Sequence, residues 1–317
     1  MGQGPWFVHV SLYGGEPVEQ SRFLASAKKN RRILEAAARA GHSLVLVDTS
    51  CVPKGPDLAP ELAPLAADGR LRRIRFPTFG SPSLARFLIL PWLPVTLLRL
   101  HGALPRHRTV AGGQPVVFSF YNPLASETIP MMVARLLRPR APRILFYDDA
   151  LFARRKVDLR LRSLVDQLPW WLARKLPTDV FAVNERLLAT MDQPPSRVCL
   201  LPCLVESDPD PPPPPPVEPL RLLYAGGLKA EKGIPLLLEL AAALPPGVEL
   251  HISGKGPMQA ACAEAAASTP QLRFHGCLME DAFSALQGRC AILISLHAEM
   301  DGVFPFKLID ALHRGMA

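Results

Sequence analysis

Three short segments carry residues of types and spacing that suit anion and nucleotide chemistry. The first, YAGGLKAEKGI (Tyr224 to Ile234), leaves an apolar run through Gly226 and Gly227 and enters a helical pattern through Lys232 and Gly233. Glycines let backbone N–H groups approach a ligand with no side chain between. A helix start adds unpaired N–H groups and the positive end of the dipole, and Lys232 adds a point charge. Together they suit a nucleotide diphosphate, although any tight strand-to-helix turn can also use glycine. The second, ISGKGP, again places two glycines, Gly254 and Gly256, between a strand and a helix. The third, DGVFPFKLIDALHRG (Asp301 to Gly315), leads into a helix that carries Asp310. A carboxylate there can accept two hydrogen bonds from ribose hydroxyls; alone, it reads as a solvated helix residue.

Such loops need strands to hold them at one edge. Strand and helix patterns alternate along the whole chain, which predicts parallel sheets covered by helices. Strands are expected at Trp6–Leu12, Ser43–Asp48, the alternating RLRRIRF (residues 70–76), Pro115–Phe120, Arg143–Asp149, Asp179–Asn184 and Arg197–Pro202, with helices over 19–40, 158–176 and 185–191. ESDPDPPPPPPVEP follows (Glu206 to Pro219). Six consecutive prolines lack N–H donors and form a stiff polyproline spacer. After it the alternation restarts: strands at 220–226, 247–253, 272–276 and 290–296, helices at 233–244, 257–268 and 279–286, and a last helix near Pro305. Ligands of open α/β sheets bind at the carboxyl ends of the strands, where all three loops fall. The expected organisation is therefore a domain over 1–205, a linker over 206–219 and a second domain over 220–317 that stops short of its last strand.

Composition agrees with a folded, two-domain chain of 317 residues with net charge +8. No acidic residue lies between Asp68 and Glu127, yet that stretch holds eight arginines, from Arg70 to Arg108. An anionic partner is implied: a nucleic acid, an anionic membrane face or a phosphorylated substrate. The same stretch contains FLILPWLPVTLL (Phe87 to Leu98), too short for the ~20 apolar residues of a membrane span. Apolar character beside arginine favours a membrane surface over nucleic acid; a buried helix with a solvated basic face fits equally. The six cysteines (Cys51, Cys199, Cys203, Cys262, Cys277 and Cys290) form no C-x-x-C pair and no zinc pattern. The N-terminus lacks a signal-peptide pattern, so a reducing cytoplasm is expected.

Order and spacing in the second half resemble the family 4 glycosyltransferases of GT-B fold. The segments GGLKAEKG, GKGP, FHG and FPFKLIDALHRG follow that family's succession, and the last is close to its FPSKLxEYLAxG variant in bacterial polysaccharide enzymes. The likeness is more diffuse in the first half, in Gly14-Gly15, AGHSLVLVD and DVFAVNERLLATM. The resemblance implies two Rossmann-like doubly wound domains facing a cleft, the second incomplete, and a retaining sugar transfer from a nucleotide-sugar donor to a glycan or lipid-linked acceptor. It implies that Lys232 holds the diphosphate, Asp310 the ribose, and that Gly15 brings its N–H to the phosphate. Gly226, Gly227, Gly233, Gly254, Gly256, Gly276 and Lys307 would complete the donor side. No metal or further cofactor is expected, because GT-B enzymes stabilise the leaving diphosphate with cations and helix dipoles; YDDALF is accordingly not read as a metal site. Expected partners are the donor, the acceptor and an anionic membrane contacted peripherally from the cytoplasmic side, not nucleic acid. Two positions depart from the pattern: the family's phosphate-binding arginine falls at Gly227, and the first of its paired glutamates at Gly302, the second being Asp310. These departures and the early end leave two other readings, a non-catalytic fragment and a nucleotide-sugar epimerase of the same fold.

Overall fold

The computed structural model describes residues 5–11, 24–49, 62–75, 93–103, 115–122, 125–148, 171–172, 174–191, 197–201, 218–278, 280–296, 311 and 316. The chain divides into two compact units, the first Met1–Leu204 and the second taking in Val205–Asp301.

The first unit is built on a seven-stranded sheet: β1 (Trp6–Ser11), β2 (Ser43–Asp48), β3 (Leu71–Arg75), β4 (Val116–Tyr121), β5 (Arg143–Tyr147), β6 (Asp179–Ala182) and β7 (Val198–Leu200). Its order is β3-β2-β1-β4-β5-β6-β7, and every pairing is parallel. WFVHVS and SLVLVD are buried along their whole length, as central strands covered on both faces must be. Helix α1 (Leu24–Arg39) lays Ile33, Leu34 and Ala37 on one face of the sheet, against Phe7, Leu44 and Leu46. Helices α2 (Ala63–Ala67), α3 (Leu93–Ala103), α4 (Ala125–Leu137) and α5 (Glu185–Leu188) follow. Leu100 of α3 and Met131, Val133 and Ala134 of α4 pack on the other face.

The second unit holds β8 (Leu220–Gly227), β9 (Val248–Lys255), β10 (Leu272–Phe274) and β11 (Ile292–Ile294), in the order β10-β9-β8-β11, again all parallel. Helices α6 (Ile234–Ala243) and α7 (Gln259–Ser268) bury Ile234, Leu237, Ala241 and Cys262 against Leu250, Ile252 and Tyr224 on one face. Helix α8 (Glu280–Gln287) buries Leu286 with Leu223 and Leu293 on the other. Both sheets are thus doubly wound, with the strand order reversing between β1 and β4 and between β8 and β11. That reversal opens the crevice where such sheets take ligands.

Several element bounds need correction: the helix expected over 185–191 ends at Leu188, and the strands expected over 197–202, 272–276 and 290–296 are Val198–Leu200, Leu272–Phe274 and Ile292–Ile294. The strand expected to end at Ser253 continues through Gly254 to Lys255, because Gly226 and Gly227 of β8 stay in register with them. The helix expected from Pro257 begins at Gln259, with Met258 as its N-cap. The helix expected to reach Leu176 has given way to a turn by Arg174; Pro177 follows, and a proline disfavours helical backbone in the residue before it. The proline spacer and the helix near Pro305 lie outside the described residues, apart from 218–219 and Ala311, which is helical and buried with Leu223 and Leu293.

Candidate functional site

At the carboxyl end of β8, Tyr224 is buried and its hydroxyl donates to the Gly227 carbonyl at 3.1 Å. Burial pushes this phenol up to about 12, with the nearby Cys262 adding to the effect, so it stays a donor at neutral pH. The hydrogen bond ties down the point where the strand leaves the sheet. Gly227 itself is exposed, and a Cβ there would meet nothing within 4 Å. The backbone is therefore open to a ligand at that residue. Leu228 is fully buried and turns the chain back, and a 3-10 turn over Ala230–Lys232 carries it to Gly233. Gly233 takes φ 73° as N-cap of α6, and a Cβ on it would come 3.1 Å from that of Leu296, past the end of β11. A side chain at that junction would be strained in backbone and crowded by the neighbouring strand exit.

The adjacent exits interlock with this one. A Cβ on Gly254, at φ 151°, would fall 1.8 Å from the Gly226 carbonyl oxygen, and one on Gly256 would fall 2.4 Å from that of Leu228. The N–H of Leu228 donates to Lys255 O at 3.0 Å, and that of Met258 to Leu228 O at 3.0 Å. Gly276, at φ 64°, accepts from both the Gly254 N–H at 2.8 Å and the Ser253 hydroxyl at 3.0 Å. Three consecutive strand exits are thereby fastened into one rigid rim.

Positive charge gathers on this rim. Lys229 and Lys255 are exposed and Lys232 is partly buried, all within the first two exits. Lys229 pairs with Glu231 at 3.5 Å, both about half exposed, a contact too solvated to hold the lysine firmly. The N–H groups of Lys229, Lys232 and Gly233 are occupied within the loop, and that of Leu228 by Lys255 O on the next exit. At the start of α6 Pro235 has none, leaving the Ile234 and Leu236 N–H groups without intrahelical acceptors, as in any first turn. Two first-turn N–H groups, a dipole end and nearby ammonium groups make an anion-binding arrangement.

No family model matches the sequence, and no curated protein does. Solved structures do align. WaaG, a glycosyltransferase involved in lipopolysaccharide biosynthesis, aligns over 98% of this chain and 79% of its own, with TM-score 0.63 and 16% identity. Anabaena HepE, in complex with UDP, aligns over 98% and 79%, with TM-score 0.60 and 11% identity. The fold is that of the GT-B glycosyltransferases. A UDP-N-acetylglucosamine 2-epimerase shares it more distantly, over 92% and 74%, with TM-score 0.52 and 11% identity. At such identities the likeness establishes the fold, and chemistry has to be argued from the site.

Of the residues expected to act, this GT-B rim brings together Gly226, Gly227, Lys232, Gly233, Gly254, Gly256 and Gly276. Packing of backbone on backbone already requires glycine at Gly254 and Gly256, whereas the approach is open at Gly227. Gly15, Lys307 and Asp310 lie outside the described residues, as do Asp149, Asp301 and Gly302. Sequence reasoning overlooked Tyr224, which faces inward, and the two lysines beside Lys232, Lys229 and Lys255; their place in the same loops was the available signal.

The matching edge of the first unit is also polar. Asp148, just past β5, accepts from the buried Lys29 ammonium and from the Tyr121 hydroxyl. Its N–H donates to Asn122 Oδ1 at 2.8 Å, and Asn122 stands at φ 62°, a left-handed backbone uncommon outside glycine. Beneath, the buried His9 ring contacts Ser119 Oγ at 2.9 Å and donates from Nε2 to Asn30 Oδ1 at 3.0 Å. Thr49 donates to the fully buried Glu127 at 2.8 Å, and Arg73 pairs with Asp48 at 2.6 Å. His9, one of several ambiguous histidines in the sequence, is thus a satisfied core residue.

Proposed function

We propose that this protein is a glycosyltransferase that takes a sugar from a nucleotide-sugar donor and passes it to a glycan or lipid-linked acceptor in polysaccharide or cell-surface glycan assembly. The observation that carries this is the open backbone at Gly227, set beside Lys229, Lys232 and the start of α6 at the strand-order reversal of a GT-B sheet. A diphosphate resting there would meet ammonium charge and a helix dipole at the oxygen where negative charge grows as the bond between the sugar's anomeric carbon and the diphosphate breaks. Preorganised charge of that kind acts without reorganisation during reaction, and losing one such donor typically costs about 10²–10³ in rate. Lys232 is the proposed diphosphate ligand, with Lys229 and Lys255 able to supply the cation that Gly227 does not. Asp310 is the proposed ribose acceptor and Gly15 a phosphate-side backbone donor from the first domain, which takes the acceptor; Lys307 belongs to the donor side.

Leaving-group stabilisation by these groups requires no metal, and the proposal includes none. Retention at the anomeric carbon follows from the resemblance to the family 4 enzymes, and UDP is the first donor nucleotide to try, because HepE is solved with it. No helix among the described residues is long and apolar enough to cross a membrane; a peripheral position at the inner membrane face is part of the proposal.

The test is thermal stabilisation by UDP and UDP-sugars. A ligand at a hundred times its Kd should stabilise the protein by about 2.7 kcal/mol, and Lys232→Ala should remove most of that gain, measured against the unliganded variant. Equal stabilisation of parent and variant would remove Lys232 from the site; no stabilisation by any sugar nucleotide would remove the site. The epimerase structure favours one other reading, inversion of the donor sugar itself. Product analysis separates the two: a glycoside plus nucleoside diphosphate against an epimerised sugar nucleotide.

A further inference from the structure

Gly226 and Gly227 are neighbours at the exit of β8, yet they are glycine for different reasons. Gly226 lies within the strand and is not among the glycines with positive φ, so its backbone does not demand glycine. A Cβ there would instead lie 2.9 Å from the Tyr224 hydroxyl oxygen and 3.2 Å from the ring carbon that bears it. The missing side chain at Gly226 makes room for the phenol, whereas a Cβ on Gly227 would meet nothing within 4 Å.

The phenol uses that room to reach the Gly227 carbonyl. This oxygen accepts twice, from the Tyr224 hydroxyl at 3.1 Å and from the Lys229 N–H at 3.1 Å. The two donors differ in what holds them. The Lys229 N–H belongs to the loop and travels with it. Tyr224 is buried in the core of the second unit with Ile234, Leu250 and Ile252. Among the described residues, only its hydroxyl reaches the Gly227 carbonyl from that core. Burial keeps the phenol protonated well above neutral pH, so the donation persists across the physiological range. Two adjacent glycines leave a strand exit loose, because glycine restricts its own dihedrals least. A released Gly227 carbonyl could turn toward an anion and repel it. Held on the tyrosine, it is kept from opposing Lys229 and Lys232, the ammonium groups of the same loop.

We propose that Tyr224 is a positioning residue for the donor: its hydroxyl latches the β8 exit in the form that receives a diphosphate, and Gly226 is glycine to admit that hydroxyl. The role rests on the nucleotide-sugar reading above and adds to it a residue that acts through the Gly227 carbonyl rather than on the ligand. A loop ordered before the ligand arrives loses less freedom on binding, and the affinity is higher for it. The cost of losing the latch is that of one hydrogen bond, about fivefold in an equilibrium.

The experiment compares the full chain with Tyr224→Phe, Gly226→Ala and the double variant. Tyr224→Phe keeps the ring and removes the donor; Gly226→Ala keeps the donor and pushes it off the carbonyl. Amide exchange of the unliganded protein reads the latch itself. The Lys229, Lys232 and Gly233 amides, which are bonded within the loop, should exchange about fivefold faster in either single variant, beyond any change at β9 amides, which track unfolding of the whole unit. Isothermal titration of UDP and UDP-glucose, well below the melting temperature, reads the consequence. Kd should rise about fivefold in each single variant, a change that lower stability of the folded protein alone does not produce. In the double variant the rise should match one single change rather than the product of both, because both break the same hydrogen bond. A parent that binds no sugar nucleotide would remove the donor reading and the positioning role with it. A parent that binds, with Tyr224→Phe binding as tightly, would overturn the positioning role and leave the donor reading standing. So would loop amides at parental rates in Tyr224→Phe, or losses that multiply in the double variant.

Discussion

Gly254 stands so close to Gly226 that a methyl group on it would lie 1.8 Å from the Gly226 carbonyl oxygen. The two residues are register partners on β8 and β9, and their contact locks two strand exits into one rim. It separates a glycine that the fold requires from Gly227, where an added Cβ would meet nothing within 4 Å.

Gly254→Ala should therefore lower stability by about 3 kcal/mol or more, since backbone clash and a left-handed φ act together. Gly227→Ala, facing open space, should change stability by no more than about 0.5 kcal/mol yet weaken UDP binding. Denaturant melts and UDP titrations of both variants check this pair of outcomes. A well-folded Gly254→Ala would show that the rim is looser than its contacts imply.

Stability should fall on acidification. Burial lowers the His9 pKa from 6.5 to about 4, with the hydrogen bond to Asn30 opposing the shift. Burial also lowers His251 and His275. His251 Nδ1 lies 2.9 Å from His275 Nε2, with the rings stacked, and His251 Nε2 lies 3.3 Å from Glu249. In each case the folded protein prefers the neutral ring, so the stabilisation is complete above the unfolded pKa near 6.5 and is lost as pH falls toward the folded value. For His9 the slope approaches about 1.4 kcal/mol per pH unit below about 6.5. Urea midpoints that stay constant from neutral pH to about pH 5 would contradict this, and so would a protonated His9 ring in nitrogen NMR at that pH.

The Lys29–Asp148 pair should be costly to break from one side. Lys29 is 2% exposed in its side chain and Asp148 17%. Removing one partner leaves the other charge largely desolvated, at about 3–5 kcal/mol when burial is full. Lys29→Met alone should approach about 3 kcal/mol, and Lys29→Met with Asp148→Asn should cost less than the two single changes together. A double-mutant cycle by guanidinium melts measures this directly; strict additivity would mean that the contact contributes nothing.

Some of this was legible along the chain and some was not. The strands, α1, the helices of the second unit and the rim loops showed in the sequence because period-two and period-3.6 patterning and glycine at strand ends are local, whereas α2, α3 and α4 were given no bounds. Even there, β9 runs two residues past its expected end, since its length is decided by pairing with β8. Tyr224 was passed over because a tyrosine in a strand reads as core, and here its ring is core while its hydroxyl bonds the Gly227 carbonyl at the strand exit.

Residues far apart were beyond local reading. Lys29 and Asp148 are 119 positions apart and His9 and Ser119 are 110. YDDALF showed an acidic pair but not the ammonium that answers Asp148. The sequence alone determined the alternation of elements, the proline-rich break and the glycine–lysine loop, because each follows from the conformational preferences of neighbouring residues. Tertiary structure alone decided the strand orders, which glycines the packing requires and which charges are buried in pairs, because these depend on which distant segments share a sheet and exclude water from between them.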